Sequence, residues 1–347
     1  MASTPNVNTA TFSDFVRLAP YMWTQGVESI RPEARQSGIF RVGIFPANTG
    51  NTREYNEFDT NEYASYKGEG DQAEQSRIQL GYTKVGRVYR FGEDVGITWE
   101  ARNQGKYPEA LRRIKDLAKK VSARMELDLQ HRITFGTATS YTDMDGRSVD
   151  TAVGDTLALF STAHTLRGSS STYRNRLAGN PQLSKGSLEA IEKQISENTL
   201  NQFGEKMTAP FDILWTTDDP NTMNTARELL QASAAVSAPN AGVPNVYQAK
   251  YKHVKLSRVA TDANGGVDAT KAKYWGLASS DISTAYLDVL EEPNLREPKE
   301  ITDQKALGTD NVEDVSTDTI TYSARGSWSI CVVGSRFIHF SSGDGTA

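Results

Sequence analysis

One stretch of this chain, residues 108–135, constrains its fold more than any other. Leu111, Ile114, Leu117, Ala118, Val121, Met125, Leu129 and Ile133 recur at spacings of three and four, which places them on one stripe of an α-helix. Pro108 suits the first helical turn, where its missing N–H costs nothing. Gly136 stands where a helix-ending C′ residue is expected. At ~1.5 Å per residue such a helix spans about 42 Å, long for one small domain and suited to a spine. Its other face carries Arg112, Arg113, Lys115, Lys119, Lys120 and Arg124 against Glu109, Asp116, Glu126 and Asp128. A face of that kind is either solvated or meets acidic neighbours or nucleic acid.

What precedes the helix reads as a projecting hairpin. Tyr66-Lys67-Gly68-Glu69-Gly70-Asp71 forms a polar tip, and a strand-like run over 77–91 follows it. Ile78, Leu80 and Tyr82 alternate with polar residues, the pattern of a half-buried strand. Residues 48–75 are polar, yet they hold Tyr55, Phe58, Tyr63 and Tyr66. Aromatics on a polar ribbon fit either a wet protein interface or a folded-back satellite cluster. Residues 1–37 look like an arm with Phe12, Phe15, Val16, Leu18, Tyr21, Met22 and Trp23 as apolar positions. Pro20 is expected to break any long helix through them. The arm is too short to enclose these side chains itself, so it packs on its parent domain or lies across a neighbouring subunit. The candidate inter-subunit contacts are therefore Phe12, Phe15, Trp23, Tyr55, Phe58, Tyr63, Tyr66, Lys67, Glu69 and Asp71.

From Ser184 the pattern changes to compact α/β. Leu188, Ile191 and Ile195 mark a helix, 211–215 a short buried strand, and Asp219-Pro220 an N-cap and first position for a helix through Ala226, Leu229 and Leu230. Strands are expected over 247–259, 273–278 and 284–290. Residues 281–318 hold eleven Asp or Glu against three Lys or Arg. Two last strands are expected, 317–325 and 328–340.

Composition narrows the class. Of 347 residues 37% are hydrophobic and 23% charged, ordinary for a folded globular chain. A net charge of −5 argues against a protein whose main task is gripping nucleic acid. The single Cys331 excludes an internal disulfide framework and a multi-Cys metal site. The N-terminal residues lack the charged and apolar regions of a signal peptide, and no apolar run approaches the ~18 residues of a membrane span. These features predict a soluble intracellular protein.

Catalytic constellations are weak. Gly68-Glu69-Gly70-Asp71-Gln72-Ala73 fits a loose dinucleotide pattern, but a polar loop precedes it, a strand follows, and its two acids would repel a pyrophosphate. Asp143-Met144-Asp145-Gly146 starts like a calcium loop, yet Gly154 stands where a bidentate Glu is required. His131, His164, His253 and His339 are scattered. A hydrolase using His164 and a nearby serine is the rival of a different class, although no G-x-S-x-G elbow supports it. No catalytic residue, cofactor or metal is assigned, and the expectation is a non-enzyme.

The order of these parts resembles the major capsid proteins of tailed bacteriophages, the Hong-Kong-97-type coat fold, and within it the Mu-like head subunits. Glu69-Gly70-Asp71 with the strand to Phe91 and Ile97-Thr98-Trp99-Glu100 looks like that family's extended loop, and 108–135 like its spine helix. Leu159-Phe160-Ser161-Thr162-Ala163-His164, then Asn175, Leu183-Ser184 and Leu188, resembles the passage from peripheral to axial domain, and 325–340 the closing peripheral strands. The resemblance implies an α+β chain divided into an N-arm (1–37), an extended loop (38–98), a peripheral domain (99–182), an axial domain (183–315) and closing peripheral strands (316–347). It implies a structural protein of the virion, assembled in the host cytoplasm. Homo-oligomeric hexamers and pentamers would form an icosahedral shell around phage DNA, held by weak non-specific contact, with no membrane. A separate scaffolding protein is expected, because no fused scaffolding segment with sustained heptads precedes the extended section. A portal and a decoration protein are further expected partners. Lys67 lies where some members of the family carry a cross-linking lysine, but no acceptor asparagine matches, so that activity is not carried over. A cellular encapsulating compartment of the same fold is the alternative shell.

Overall fold

The computed structural model describes residues 12–46, 50–234, 244–281, 284–296 and 319–345. Five α-helices are set among fourteen strands in these residues. The arm contains α1 (Phe12–Glu28), followed by β1 (Arg41–Ile44), β2 (Thr52–Thr60), β3 (Ile78–Arg87) and β4 (Tyr89–Thr98). Then come α2 (Trp99–Asn103), the long α3 (Tyr107–Thr134), and the short hairpins β5 (Ser140–Thr142) with β6 (Ser148–Asp150) and β7 (His164–Thr165) with β8 (Thr172–Tyr173). The rest is α4 (Lys185–Asn198), β9 (Ile213–Thr216), α5 (Pro220–Gln231), β10 (Lys252–Lys255), β11 (Trp275–Ala278), β12 (Ala285–Arg296), β13 (Thr319–Val332) and β14 (Ile338–Ser341).

The spine forms where the period places it. Leu111, Ile114, Leu117, Val121, Met125, Leu129 and Ile133 are all buried, and they join the main core with Phe15, Tyr322 and Trp328. The C-terminal part of the helix is enclosed on more than its apolar side, since Glu126, Asp128, Gln130 and His131 are buried too. Glu126 accepts the backbone N–H groups of Ala34 (2.8 Å) and Arg35 (3.3 Å), which fixes the end of the arm to the spine. Burial raises the pKa of Glu126. Gly136 does not take the left-handed conformation expected of a C′ glycine. A Cβ there would lie 2.6 Å from the Phe160 ring, so close packing is the reason for glycine.

The arm corrects two expectations. α1 runs straight through Pro20, which is exposed. The backbone bond lost at proline is offset by the buried row Phe15, Ala19 and Trp23. Phe15 meets Tyr322 edge to face at 5.5 Å, and a Cβ on Gly26 would lie 2.5 Å from Ala118, so α1 lies close against the spine. Phe15 and Trp23 are thus core residues of their own subunit, not contacts offered to a neighbour. The side chain of Phe12 lies outside the described residues.

Two four-stranded sheets organise the body, in the orders β1-β12-β13-β4 and β10-β9-β11-β14. In the second, β9, β11 and β14 are buried on both faces, and β10 is a partly exposed edge. Along β9, Ile213 and Trp215 enter the main core, while Leu214 enters a second core with Leu188, Ile191, Leu229 and Trp275, as the period of two requires. α4 and α5 cover that second core. Ser184 caps α4 in a capping box with Ser187, and Asp219 caps α5 by accepting from Thr222 N at 2.9 Å. Pairing also revises the expected divisions. β4 lies in the first sheet, within the span read as extended loop. β12, read as axial, pairs with β13 in the first sheet, and β14, read as a peripheral strand, pairs with β11 in the second. The expected break between the last two strands falls inside β13, which is continuous from Thr319 to Val332.

Candidate assembly surface

The projecting element is an antiparallel ribbon of β2 and β3 in which Phe58 faces Leu80, Thr60 faces Ile78 and Glu54 faces Val85. Alternation gives it two unlike sides. The inner side lies on the body and presents Tyr55, Glu57, Gly81 and Gly86, all buried. The outer side holds Phe58 (69% exposed), Ile78 (69%), Leu80 (62%) and Val85 (58%). β3 is the half-buried strand that the alternation of Ile78 and Leu80 suggested, but these two residues lie on its exposed side. The alternation holds on either side of a register shift: Gly81 and Gly86 take the body side with Tyr55 and the half-buried Tyr82, while Phe58, Ile78, Leu80 and Val85 point outward. Tyr55 is also corrected. It is buried, stacks on Tyr286 at 4.8 Å, and its hydroxyl donates to Asp288.

Beyond the ribbon, residues 61–77 form an irregular tip. Tyr63 is exposed and its hydroxyl donates to the Lys206 carbonyl at 3.4 Å. Tyr66 is fully exposed, and Lys67, Glu69 and Asp71 are exposed beside it. Gly70 sits in the left-handed region at φ +85°, and Asp71 N donates to Gly68 O at 3.2 Å. The glycines thus make a turn, with no following helix to receive a dinucleotide. The structure therefore groups Phe58, Tyr63, Tyr66, Lys67, Glu69 and Asp71 on one accessible element and removes Phe15, Trp23 and Tyr55 from it. Sequence reasoning missed Val85, and it missed Val42 and Ile44 on β1, an edge strand of the first sheet, both exposed.

The basic side of the spine is largely neutralised within the subunit. Arg113 pairs with Glu109 (2.8 Å), Lys119 with Asp116 (3.3 Å), and Lys120 with Glu93. Arg124 pairs with Asp128 (2.9 Å), Asp143 (3.0 Å) and Asp145 (3.0 Å). Asp143 also accepts from Asp145 N and Arg147 N, which makes the calcium-like segment a turn closed on an arginine. Glu93, Lys120, Arg124 and Asp145 border an open groove of about 540 Å³ whose walls include Phe91, Val121, Leu127 and Arg258. No group of three or more His, Cys, Asp or Glu among the described residues could hold a metal ion.

The histidines are structural. His164 is buried, with Nδ1 at 2.7 Å from Asp155 and Nε2 at 3.2 Å from the Leu159 carbonyl, so neither nitrogen serves a serine hydroxyl. The hydrogen bond and charge of His164 hold the Asp155 carboxyl below its ordinary range against the opposing effect of burial. Burial pushes His131 down to about 4, with Lys271 adding to the shift, and pushes His339 down to about 3. Gln194 Nε2 donates to His339 Nδ1 at 3.1 Å, a bond that protonation of that nitrogen would break. The unfolded chain protonates these rings near pH ~6.5, above their folded values. It therefore binds more protons between those limits, and stability falls as pH drops from about 6.5 towards 4. Buried Glu57, Glu126 and Asp128, whose pKa values are raised by burial, act in the opposite sense. A variant separates the two effects. His339→Gln should lose less stability than the parent between pH 7 and 5, by on the order of 2 kcal/mol, in urea melts at both pH values. Parallel losses in the two proteins would show that His339 does not titrate on unfolding.

No protein-family model matches the chain, and no curated protein matches it. Solved structures do. The chain is similar to one from Gordonia phage Cozz at 10% identity and TM-score 0.47, covering 98% of this chain and 90% of that one. It is similar to the capsid of Myoviridae phage XM1 at 12% identity and TM-score 0.46, covering 88% and 90%. It is also similar to the capsid of Ralstonia phage GP4 at 11% identity and TM-score 0.46, covering 87% and 84%.

Proposed function

We propose that the chain is the coat subunit of a tailed-phage head, a structural protein that assembles with copies of itself into a closed shell. The observation that carries this reading is the ribbon. Its large apolar residues point away from the body, a placement that costs a monomer solubility and gains it nothing. Burying such side chains contributes roughly 1.5–3 kcal/mol each, and among the described residues none of the same subunit buries them, which leaves them for a partner. A surface that projects from one side of a subunit and docks elsewhere on the next makes a heterologous contact, the kind that closes into rings. Hexamers and pentamers of an icosahedral shell are the rings this reading requires. Phe58, Tyr63, Tyr66, Lys67, Glu69 and Asp71 are its proposed contacts from the sequence, joined by Ile78, Leu80 and Val85. A separate scaffolding protein would set curvature, and a portal and a decoration protein would complete the particle. DNA would be enclosed with little direct grip, consistent with the net charge of −5 and the paired cations of the spine.

The test is the state of association of purified protein across concentration, with and without its assembly factor, by size-exclusion chromatography and negative-stain microscopy. Rings, tubes or shells are expected. Dispersed monomers under every condition would overturn the reading.

A further inference from the structure

We infer that the β2–β3 ribbon is latched to its own subunit and can release as one piece while the body stays folded, the latch being Arg336 with Asp59 and Glu57. The attachment of the ribbon differs in kind from the rest of the fold. Its inner face brings two large aromatic side chains to the body: Tyr55, which forms a small cluster with Cys331 and Val333 apart from the main core, and the half-buried Tyr82, which lies against Gly154 and shares a hydrogen bond with Thr165 at 2.8 Å. The other holding contacts are polar. Near the base, Asp288 accepts from Arg53 Nη1 at 2.5 Å, and Lys84 pairs with Asp150 at 3.1 Å. Nearer the tip, Arg336 is 3% exposed and donates through Nη1 to Asp59 Oδ2 at 2.5 Å and to the Leu200 carbonyl at 3.2 Å. Its Nη2 stands 3.7 Å from Glu57 Oε2. Gln202 completes the cluster, donating from its backbone N to Asp59 (2.9 Å) and from Nε2 to Glu57 (3.2 Å).

This cluster is unevenly matched. Two carboxylates face one guanidinium, and Glu57 Oε1 and Arg336 Nε are buried without a hydrogen-bond partner. Burial raises the pKa of Glu57 against the opposing charge of Arg336. Opening exchanges these bonds for bonds to water, so the net hold is a fraction of what the contacts suggest. The apolar core under α3 is untouched by that exchange, and a segment held in this way opens below the global unfolding free energy. The chain also provides one pivot. Val88, between β3 and β4, donates its N–H to Asn51 O at 2.8 Å, so both strands leave the body at the same point, with Gly50 at φ +83° beside it. Swinging about that point re-aims the outer row of Phe58, Leu80 and Ile78. The latch stands on the subunit's own contacts and does not depend on the coat reading.

Hydrogen exchange followed by mass spectrometry on the full chain tests it, with parent and variant compared in the same assembly state. Arg336→Gln should accelerate exchange in β2 and β3 by roughly tenfold to a hundredfold, the loss expected for a buried charge-assisted bond, while the amides of α3 keep their protection. Should that variant fail to fold, Asp59→Asn removes the nearest acceptor, keeps the guanidinium, and is expected to give the same split. Ribbon and α3 accelerating together would show that Arg336 is part of the global fold, and an unchanged ribbon would show that it latches nothing. Either result overturns the inference.

Discussion

Leu129→Asp is expected to abolish the cooperative thermal melt of the subunit. Leu129 is fully buried in the main core, in the part of α3 that is enclosed on more than one side. A carboxylate there would find Arg124 already shared among Asp128, Asp143 and Asp145. Stranding a charge adds to the loss of the leucine's own burial, and together they cost about 3–5 kcal/mol or more. That is a large share of the roughly 5–15 kcal/mol that keeps a domain folded. Two comparisons give the experiment its meaning. Val121→Asp should be milder, since Val121 borders the groove beside Arg124 and Arg258, where a carboxylate can reach water and cations. Arg113→Ala should be nearly silent, within about 0.5 kcal/mol, because its pair with Glu109 is exposed. Circular dichroism melts rank the three. Equal destabilisation by Leu129→Asp and Arg113→Ala would show that the stripe is not the core of the body.

The spine was legible because a helix is a local object. Its period, its proline and its length all lie within one window of sequence, and burial of Leu111, Leu117 and Leu129 follows from spacing alone. The caps Ser184 and Asp219 were readable for the same reason. What the sequence left open were pairings across distance. Nothing local assigns β12 to the first sheet and β14 to the second, since partners such as Tyr286 and Cys331 or Leu277 and His339 stand tens of residues apart. Nor does a period of two say which side of a ribbon faces the body. Ile78 and Leu80 showed the alternation of a half-buried strand, and only the packing of Gly81 and Gly86 on the inner side reveals that the half in question was the other one. The arm failed differently. Pro20 is a strong local signal, and it was overridden by the tertiary burial of Phe15, Ala19 and Trp23 on both sides of it. Within the candidate surface, the aromatic composition of the ribbon pointed to the right element, but Tyr55 and Phe58, three positions apart, lie on opposite sides of it.

Phe58→Lys combined with Leu80→Glu is expected to leave the subunit folded and to eliminate particles. The two positions face each other across the ribbon and are 69% and 62% exposed, so replacing them removes little that the monomer buries. The new pair is of opposite charge and directly cross-strand, which holds the ribbon together by about 0.2–1 kcal/mol. Two like charges would instead disturb the hairpin and blur the result. What changes is the outer row, which becomes ionic where the proposed neighbour supplies an apolar seat. Burying either charge unpaired costs far more than the side chains' apolar contribution of roughly 1.5–3 kcal/mol each. Every copy in a shell repeats the contact, so a loss of that size at each interface removes closed particles and does more than slow them. The measurements are the thermal midpoint of the subunit and the particle yield by sedimentation and negative-stain microscopy. An unchanged midpoint with no particles assigns the ribbon's outer side to assembly. Normal shells from the double variant would show that this side faces solvent in the particle, and a lost melt would show that Phe58 and Leu80 belong to the fold of their own subunit.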